Sequence, residues 1–155
     1  MKNILSFIII SIAVAPSCKK KKDAEPPPPT PVVYTISVKI DGVEKHCSTC
    51  YYGSTSGGLR GAYFSLAGFD EQIYFSCGAL PAPGPYKLVK YGTPYLMYSK
   101  NNAYRPAATG TINISSIDTS AGGVINKMKA TFAFKTDTST TGTSYNITEG
   151  SINLN

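Results

Sequence analysis

The feature that most constrains the fold of this chain is an alternation of apolar and polar side chains. Met128, Ala130, Phe132 and Phe134 alternate with positions that include three lysines. Successive side chains of a β-strand point to opposite faces, so this spacing predicts a strand with one buried face. No stretch after residue 32 has a helical period. The sequence therefore predicts an all-β domain, an antiparallel β-sandwich or flattened barrel of about eight to ten strands.

The domain begins with a predicted hairpin about the dipeptide Asp41-Gly42. This dipeptide favours the two-residue turn whose central positions need positive φ. Folding the chain there places Ile40 opposite Val43 and Ile36 opposite Cys47. The first of these is an apolar pair on the inner face, which supports this register.

Further expectations concern the bounds of the elements. We predict that residues 53–58 form a loop, and the strand after the hairpin would reach residue 52 if it continued up to that loop. A strand is expected over residues 111–117 and a turn at Glu149-Gly150. The three prolines of residues 80–85 argue against regular pairing there, because proline lacks the donor that a ladder needs.

Residues 1–17 have the composition of a secretory signal peptide. A lysine near the start precedes an apolar core of eleven residues from Ile4 to Val14, and small residues follow. This core is too short to cross a bilayer, which takes about 20 apolar residues. Cys18 follows directly, an arrangement that resembles the lipobox of bacterial lipoproteins. The resemblance implies that Cys18 carries fatty chains such as palmitate and anchors the protein in the outer membrane. The alternative is an ordinary signal peptide that is cut at another small residue.

Residues 18–31 form a predicted tether between this anchor and the domain. Four lysines at 19–22 and four prolines at 26–29 offer little apolar surface to a core. Polyproline II rises about 3.1 Å per residue, so the tether could hold the domain about 40 Å from its anchor. Lys22-Asp23-Ala24-Glu25 resembles the export signal of Bacteroidota surface lipoproteins, which implies exposure outside the cell. The alternative is a charged spacer.

Residues 32–155 are long enough for one domain with its own core. They carry ten Lys and Arg against seven Asp and Glu, so the domain contributes +3 to the net charge of +6. No cluster of basic residues remains in the domain, which argues against a nucleic-acid partner. We therefore expect the membrane, through the lipid at Cys18, and a ligand of the domain to be the partners.

Three cysteines and the single histidine invite a disulfide or metal interpretation. Strand parity turns Cys47 and Cys77 inward, which predicts a Cys47–Cys77 disulfide in an oxidising compartment, or two buried thiols. In a continuous strand Cys47 and Cys50 would lie about 10 Å apart on opposite faces, too far for a bridge. A shifted register would favour a Cys50–Cys77 bond. A zinc site of His46, Cys47, Cys50 and Cys77 needs all four on one side, so we expect no metal and no cofactor.

Tyrosines crowd into nineteen residues beside the proline-rich stretch and form the candidate ligand surface. Tyrosine joins a flat apolar ring to a polar hydroxyl, so exposed rings here could stack on a glycan or a protein partner. The alternative is that they are strand-forming core residues. The set comprises Tyr86, Tyr91, Tyr95, Tyr98 and Tyr104.

Catalysis finds little support in this sequence. His46 is the only histidine, and the acidic residues fall mostly at predicted turns, where turn chemistry explains them. A glycoside hydrolase would need two carboxylates about 5 to 10 Å apart. We predict a non-catalytic binding or adhesion domain of an envelope lipoprotein. The alternatives are a secreted hydrolase that acts on glycans and a purely structural envelope component.

A set of short motifs follows in a fixed order along the domain. They are Ile40-Asp41-Gly42, Gly84-Pro85-Tyr86-Lys87-Leu88, Gly110-Thr111-Ile112-Asn113-Ile114, Ala130-Thr131-Phe132-Ala133-Phe134 and Ile147-Thr148-Glu149-Gly150-Ser151-Ile152. The set resembles a family of uncharacterised all-β domains of Bacteroidota lipoproteins and covers nearly all of the mature chain. The resemblance implies the same fold and envelope location. It implies no catalytic residue, because that family has no established activity.

Overall fold

The computed structural model describes residues 35–47, 51–56, 59–67, 70–138 and 142–155. The predictions for the signal peptide, Cys18 and the tether lie outside these residues. The regular structure of the described part consists of strands. They are β1 (Ile36–Ile40), β2 (Val43–Cys47), β3 (Tyr51–Ser56), β4 (Leu59–Ala67), β5 (Glu71–Cys77), β6 (Gly84–Val89), β7 (Tyr95–Lys100), β8 (Ala103–Thr119), β9 (Ile125–Thr136) and β10 (Asn146–Leu154). Within these residues no helix is long and apolar enough to cross a membrane.

The strands form one antiparallel sheet that curls strongly into a half-barrel. The strand order is β2-β1-β10-β9-β8-β7-β5-β4-β3, and β6 pairs with β8. Most neighbours in the sheet are also neighbours along the chain, as expected for short connections. The exceptions are the pairs β5–β7, β6–β8 and β1–β10, and the last of these joins the two ends of the domain. The prediction of an antiparallel sandwich or flattened barrel is confirmed.

The long strand β8 serves two parts of the sheet. Its residues 103–106 pair with β7, and from Ala107 onward it pairs with β9. We call β3, β4, β5, β7 and residues 103–106 the first half of the sheet, and the other strands with the rest of β8 the second half. In the second half Gly110 has a φ of 153°, and a Cβ there would clash with the carbonyl oxygen of Ala133. Only glycine therefore fits at this point of the pairing between β8 and β9.

The core lies on the inner side of the curl and draws on both halves. The buried apolar side chains of the described residues all lie between Ile36 and Ile152, so this part of the chain supplies a core of its own. The largest fully buried side chains are Tyr98, Phe64, Phe75, Ile36, Ile73, Leu88, Leu96, Ile112, Ile114, Ile125, Met128 and Ile147.

The predicted hairpin at the start of the domain is confirmed. Ile40 is the register partner of Val43, and Ile36 is the partner of Cys47. Asp41 and Gly42 have φ values of 49° and 83°, which are the positive values that this turn requires.

A buried carboxylate ties the two halves of the sheet together. Glu71 on β5 forms ion pairs with Lys45 on β2 and with Lys100 on β7, the latter at 3.2 Å. Burial alone would raise the pKa of Glu71, but hydrogen bonds and attraction from the two ammonium groups outweigh it and lower the pKa. The ion pair with Lys45 therefore links β2 in the second half to β5 in the first half, and the pair with Lys100 joins the neighbouring strands β5 and β7.

Other predicted bounds were wrong for identifiable reasons. The second strand ends at Cys47, and β3 (Tyr51–Ser56) occupies most of the predicted loop, because pairing with β4 outweighs the weak strand preference of glycine and serine. The predicted turn at Glu149 is a bulge inside β10, where the register shifts and φ is 50°. Pro85 belongs to β6, which pairs with β8 in spite of the missing donor.

Candidate functional site

The outer surface of the first half carries a row of tyrosines. Alternate residues of β4, β5 and β7 are buried in the core, so the residues between them face outward. Tyr63 on β4 is the register partner of Tyr74 on β5, and Tyr74 is the partner of Met97 on β7. Tyr95 lies two residues before Met97 and therefore faces the same side. Period-two spacing thus brings side chains from three strands together on one face.

The tyrosine rings contact one another in succession. The centroids of Tyr63 and Tyr74 are 4.3 Å apart, and Tyr74 meets Tyr95 edge-on at 6.3 Å. Tyr95 stacks with Tyr91 at 6.3 Å with an interplanar angle of 17°. Gly61 leaves room for this arrangement, because a Cβ there would lie 2.7 Å from the hydroxyl of Tyr74. We call Tyr63, Tyr74, Tyr95 and Tyr91 the tyrosine row; each such ring pair is worth about 0.5–1.5 kcal/mol.

The described side chains on this outer face carry no charge. Charged residues of the same strands, such as Arg60, Glu71 and Arg105, have the opposite parity. The outward positions are Leu59, Gly61, Tyr63, Ser65, Gln72, Tyr74, Ser76, Tyr95, Met97, Ser99, Tyr104 and Pro106. The outer face of the second half differs, since it carries exposed lysines at 129 and 135. The two outer faces are therefore chemically distinct.

A cavity of about 300 Å³ adjoins the tyrosine row at its Tyr91 end. This volume is at the lower limit of small-molecule sites and suits a group of about one ring. Cys77 contributes a thiol that is 2% exposed, and burial raises its pKa in spite of the nearby Arg60 guanidinium. The lining consists of Leu59, Ser76, Cys77, Gly78, Tyr91, Gly92, Thr93 and Tyr95. It presents rings, hydroxyls and one thiol that remains protonated at neutral pH.

Tyr95 lies where the row meets the cavity. Burial raises the pKa of its phenol, and the neighbouring Tyr91 and Tyr74 add to this effect. The hydroxyl therefore keeps its proton at neutral pH and donates to the sulfur of Met97 at 3.5 Å. It is a neutral donor at the mouth of the cavity.

The backbone at Tyr91 adopts a conformation that bulky residues rarely take. The Gly92 amide donates to the Val89 carbonyl at 3.0 Å and closes a four-residue turn with Tyr91 in its third position. The φ of Tyr91 is 58°, in the left-handed region that favours glycine. Its side chain is nevertheless 74% exposed, with the Lys90 ammonium 5.4 Å from the ring centroid. Strain that is retained at an exposed ring points to a function for that ring.

The structure brings some of the predicted tyrosines together and separates others. Tyr91 and Tyr95 meet at the cavity. Tyr104 is 50% exposed and lies on the same outer face, because its register partner is Ser99 on β7. Tyr86 lies in the second half, where its hydroxyl donates to the Ala82 carbonyl at 2.6 Å.

The assignment of Tyr98 to a ligand surface is wrong. Its side chain is fully buried and packs edge-on against Tyr145 with centroids 5.0 Å apart. Burial and the Glu71 carboxylate raise the pKa of Tyr98 far above its ordinary value. This tyrosine belongs to the core, as the alternative interpretation had it.

Sequence reasoning missed Tyr63 and Tyr74, although the sequence contains a signal for them. Each occupies a solvent-facing position between inward residues of a predicted strand, where polar residues are the rule. Crowding along the chain finds residues that are close in sequence. It does not find residues that meet across neighbouring strands.

The predicted Cys47–Cys77 disulfide is also wrong. Cys77 is a free buried thiol, whereas Cys47 is disulfide-bonded, so the two do not form a bond with each other. The prediction used strand parity, and both cysteines do face the core as expected. The separate argument against a Cys47–Cys50 bond required a strand that continued to residue 52, and β2 ends at Cys47. Cys50 lies outside the described residues. Within the described ranges, no group of three or more potential metal ligands comes together.

Several carboxylates that could serve catalysis form ion pairs, and none of these carboxylates lines the cavity. Glu71 is the buried example, and the two others lie in the second half or the loops beside it. The pairs are Glu71 with Lys45 and Lys100, Asp137 with Lys90, and Glu149 with Lys39.

No protein-family model, curated protein or solved structure matches this chain.

Proposed function

We propose that this chain is a lipid-anchored lipoprotein of the cell envelope whose β domain is a non-catalytic binding module. The tyrosine row and the adjoining cavity form its binding surface. The observation that carries the proposal is an uncharged outer face with four contacting rings, one of them kept exposed by a strained turn. Tyrosine-rich, charge-depleted surfaces are typical of the central part of binding interfaces.

The chemistry of this surface favours binding. Flat rings and neutral hydroxyls hold a ligand through desolvation and hydrogen bonds. Acid–base catalysis uses a group whose pKa lies near the working pH, and a catalytic thiol is activated by a lowered pKa. The Cys77 thiol that the cavity offers has a raised pKa, so it suits neither role. The hydrolase and the purely structural alternatives have no such specific observation in their favour.

The location of the protein is proposed from its N-terminal sequence. The signal-peptide pattern and the lipobox-like position of Cys18 support lipid anchoring. The resemblance to Bacteroidota lipoprotein domains supports the outer membrane, and the lysine-acidic segment after Cys18 supports exposure on its surface. The lysine- and proline-rich tether is suited to holding a binding domain away from a membrane.

Anchoring is tested by labelling the protein with palmitate in a bacterial host. We expect label on the wild-type chain and none on Cys18→Ser, because the thiol is the attachment point. Globomycin, which blocks lipoprotein signal peptidase, should cause the precursor to accumulate. Unchanged processing in its presence would contradict the anchor.

Binding is tested with a soluble chain of residues 19–155 on immobilised neutral polysaccharides, anionic polysaccharides, proteins and lipid vesicles. We expect one of these surfaces to retain the chain and Tyr91→Ala to lose that retention. Thr131→Ala, at an exposed position on the outer face of the second half, is the matched control. Equal retention of the wild type and Tyr91→Ala on every surface would show that the tyrosine row is not the binding surface.

A further inference from the structure

We propose that the ligand is a neutral oligosaccharide that lies along the tyrosine row with one terminal sugar ring in the cavity. The inference rests on the proposed binding function and names the ligand class for that same site. Charge, length and the placement of the polar groups each support it.

The charge of the face determines the charge of the ligand. Anionic glycans and nucleic acids are held by lysine and arginine, and the described outward positions supply neither. Lys90 is a cation close to the row, and its ammonium is already paired with the Asp137 carboxylate. A cationic ligand would need carboxylates, which the outward positions also lack. The face therefore complements a ligand without net charge.

The length of the row suits a chain of several sugar rings. The four tyrosine rings follow one another with centroid separations of 4.3, 6.3 and 6.3 Å and interplanar angles of 31°, 73° and 17°, so a long ligand would meet ring faces at some positions and ring edges at others. A pyranose presents an apolar C–H face that packs on an aromatic ring, while its hydroxyls point sideways to water or to protein. Each contact along the row is small, so affinity must come from several rings bound at once.

Polar groups flank the row where sugar hydroxyls would lie. Ser65 and Gln72 face outward from β4 and β5, on the same side of the sheet as Tyr74, and the buried Ser76 lines the cavity. Thr93 adds a hydroxyl to the cavity lining. These groups both donate and accept hydrogen bonds, as the hydroxyls of a sugar do, and none of them requires a charged partner.

An extended peptide is a less suitable occupant of this surface. Peptides that bind to sheets usually pair with a free edge strand. The row lies instead on β4, β5 and β7, each of which pairs with a strand on both of its edges. The backbone hydrogen bonds of these strands are therefore already used, and only side chains remain to hold a ligand.

Tyr91 and the cavity define one end of the site. The cavity of about 300 Å³ has room for about one ring, and Tyr91 and Tyr95 both line it. The turn presents the Tyr91 ring nearly parallel to that of Tyr95, at an angle of 17°. A terminal sugar seated there would contact both rings, and the remaining sugars would extend over Tyr74 towards Tyr63.

The experiment titrates the soluble chain of residues 19–155 with neutral hexasaccharides of glucose, mannose, xylose and galactose, and with hexagalacturonate as the anionic counterpart. The chain has eleven tyrosines and no tryptophan, so ligand stacking changes tyrosine fluorescence directly. Calorimetry provides the independent measure. We expect a neutral hexasaccharide to bind and its disaccharide to bind at least tenfold more weakly, because fewer rings are covered.

Variants then locate the sugar on the row. Tyr91→Ala should weaken hexasaccharide binding at least tenfold, which corresponds to about 1.4 kcal/mol. Tyr63→Ala should weaken the hexasaccharide but leave the disaccharide unchanged, because the short ligand occupies only the cavity end. Thr131→Ala should bind both ligands as the wild type does. Thermal melts of each variant show whether it is folded, and Tyr91, in an exposed turn, is the safer of the two substitutions.

The opposing results separate the two proposals. If only a protein or an anionic polymer binds, and Tyr91→Ala abolishes that binding, the ligand class is wrong while the binding surface stands. The same holds if the chain forms a dimer that Tyr91→Ala dissociates. Failure of every neutral hexasaccharide to bind overturns the oligosaccharide proposal. If Tyr91→Ala and Tyr63→Ala both bind the hexasaccharide as tightly as the wild type does, the site itself is overturned.

Discussion

The turn that presents Tyr91 makes a specific prediction about stability. A non-glycine residue in the left-handed region costs about 1–2 kcal/mol relative to glycine. Tyr91 bears this cost at a φ of 58° although its ring is largely exposed. We therefore expect Tyr91→Gly to be more stable than Tyr91→Ala, and both variants to lose binding at the tyrosine row.

The magnitude follows from the contacts of the ring. Both variants lose the stacking on Tyr95 and the contact with the Lys90 ammonium, together about 1 kcal/mol at an exposed site. Only Tyr91→Gly also relieves the backbone, by about 1 kcal/mol. Tyr91→Gly should therefore match the wild type in stability, and Tyr91→Ala should be about 1 kcal/mol less stable. For a domain of this size the difference corresponds to about 4 °C in Tm.

The assay is urea denaturation of the soluble chain, followed by circular dichroism. Lys90, the preceding residue of the same turn, has no positive φ and is the matched control. At position 90 the order should be reversed: Lys90→Gly should be less stable than Lys90→Ala, because glycine loses more conformational entropy on folding. If Tyr91→Gly is no more stable than Tyr91→Ala, the backbone at this turn is not strained and the functional argument from strain fails.

Other predictions concern the interior of the domain. Glu71→Gln should lower the unfolding free energy by about 2 kcal/mol, since it leaves two ammonium groups without their carboxylate. Glu149→Gln, which removes an exposed ion pair, should change the unfolding free energy little. Folding lowers the pKa of Glu71 from 4.5, so the ionised carboxylate stabilises the folded protein above that pH. This contribution to the unfolding free energy is lost as the pH falls through the folded-state pKa. Unfolding free energies measured across acid pH should show this loss for the wild type and not for Glu71→Gln. Gly110→Ala should lower the unfolding free energy by about 3 kcal/mol in the same denaturation assay, because the added Cβ clashes with β9. Gly84 has a similar φ but open space around it, so Gly84→Ala should lower the unfolding free energy by only about 1 kcal/mol. Cys77 should react slowly with iodoacetamide in the folded protein and rapidly in urea, and a disulfide-linked peptide containing Cys77 in the mass spectrum would contradict the free thiol.

Much of the fold could be predicted from local patterns. The hairpin at Asp41-Gly42 and the alternation in β9 follow from short-range rules, and both appear in the structure with the expected faces. The length of β8 could not be predicted, because Pro106 interrupts its pattern and the first residues of β8 pair with β7, where Pro106 is the register partner of Met97. The bulge at Glu149 likewise depends on β9, the neighbouring strand, and resembles a turn when the sequence is considered alone.

The site was only partly visible in the sequence for a related reason. Tyr91 and Tyr95 are close along the chain, so crowding identified them. Tyr63 and Tyr74 join the row only because the registers of β4, β5 and β7 align them, and that alignment depends on long-range pairing. Tyr98 was misassigned because crowding along the chain takes no account of the face on which a residue lies, and Tyr98 shares the buried face of β7 with Leu96.

The position of β10 makes the sheet depend on two segments that are far apart in the sequence. Asn146–Leu154 lies between β9, which precedes it along the chain, and β1, which begins near residue 36. Without β10, both neighbours would carry an open edge in the middle of the sheet, where proteases or other chains can attack. A chain that lacks β10 should therefore aggregate or be degraded faster than the wild type.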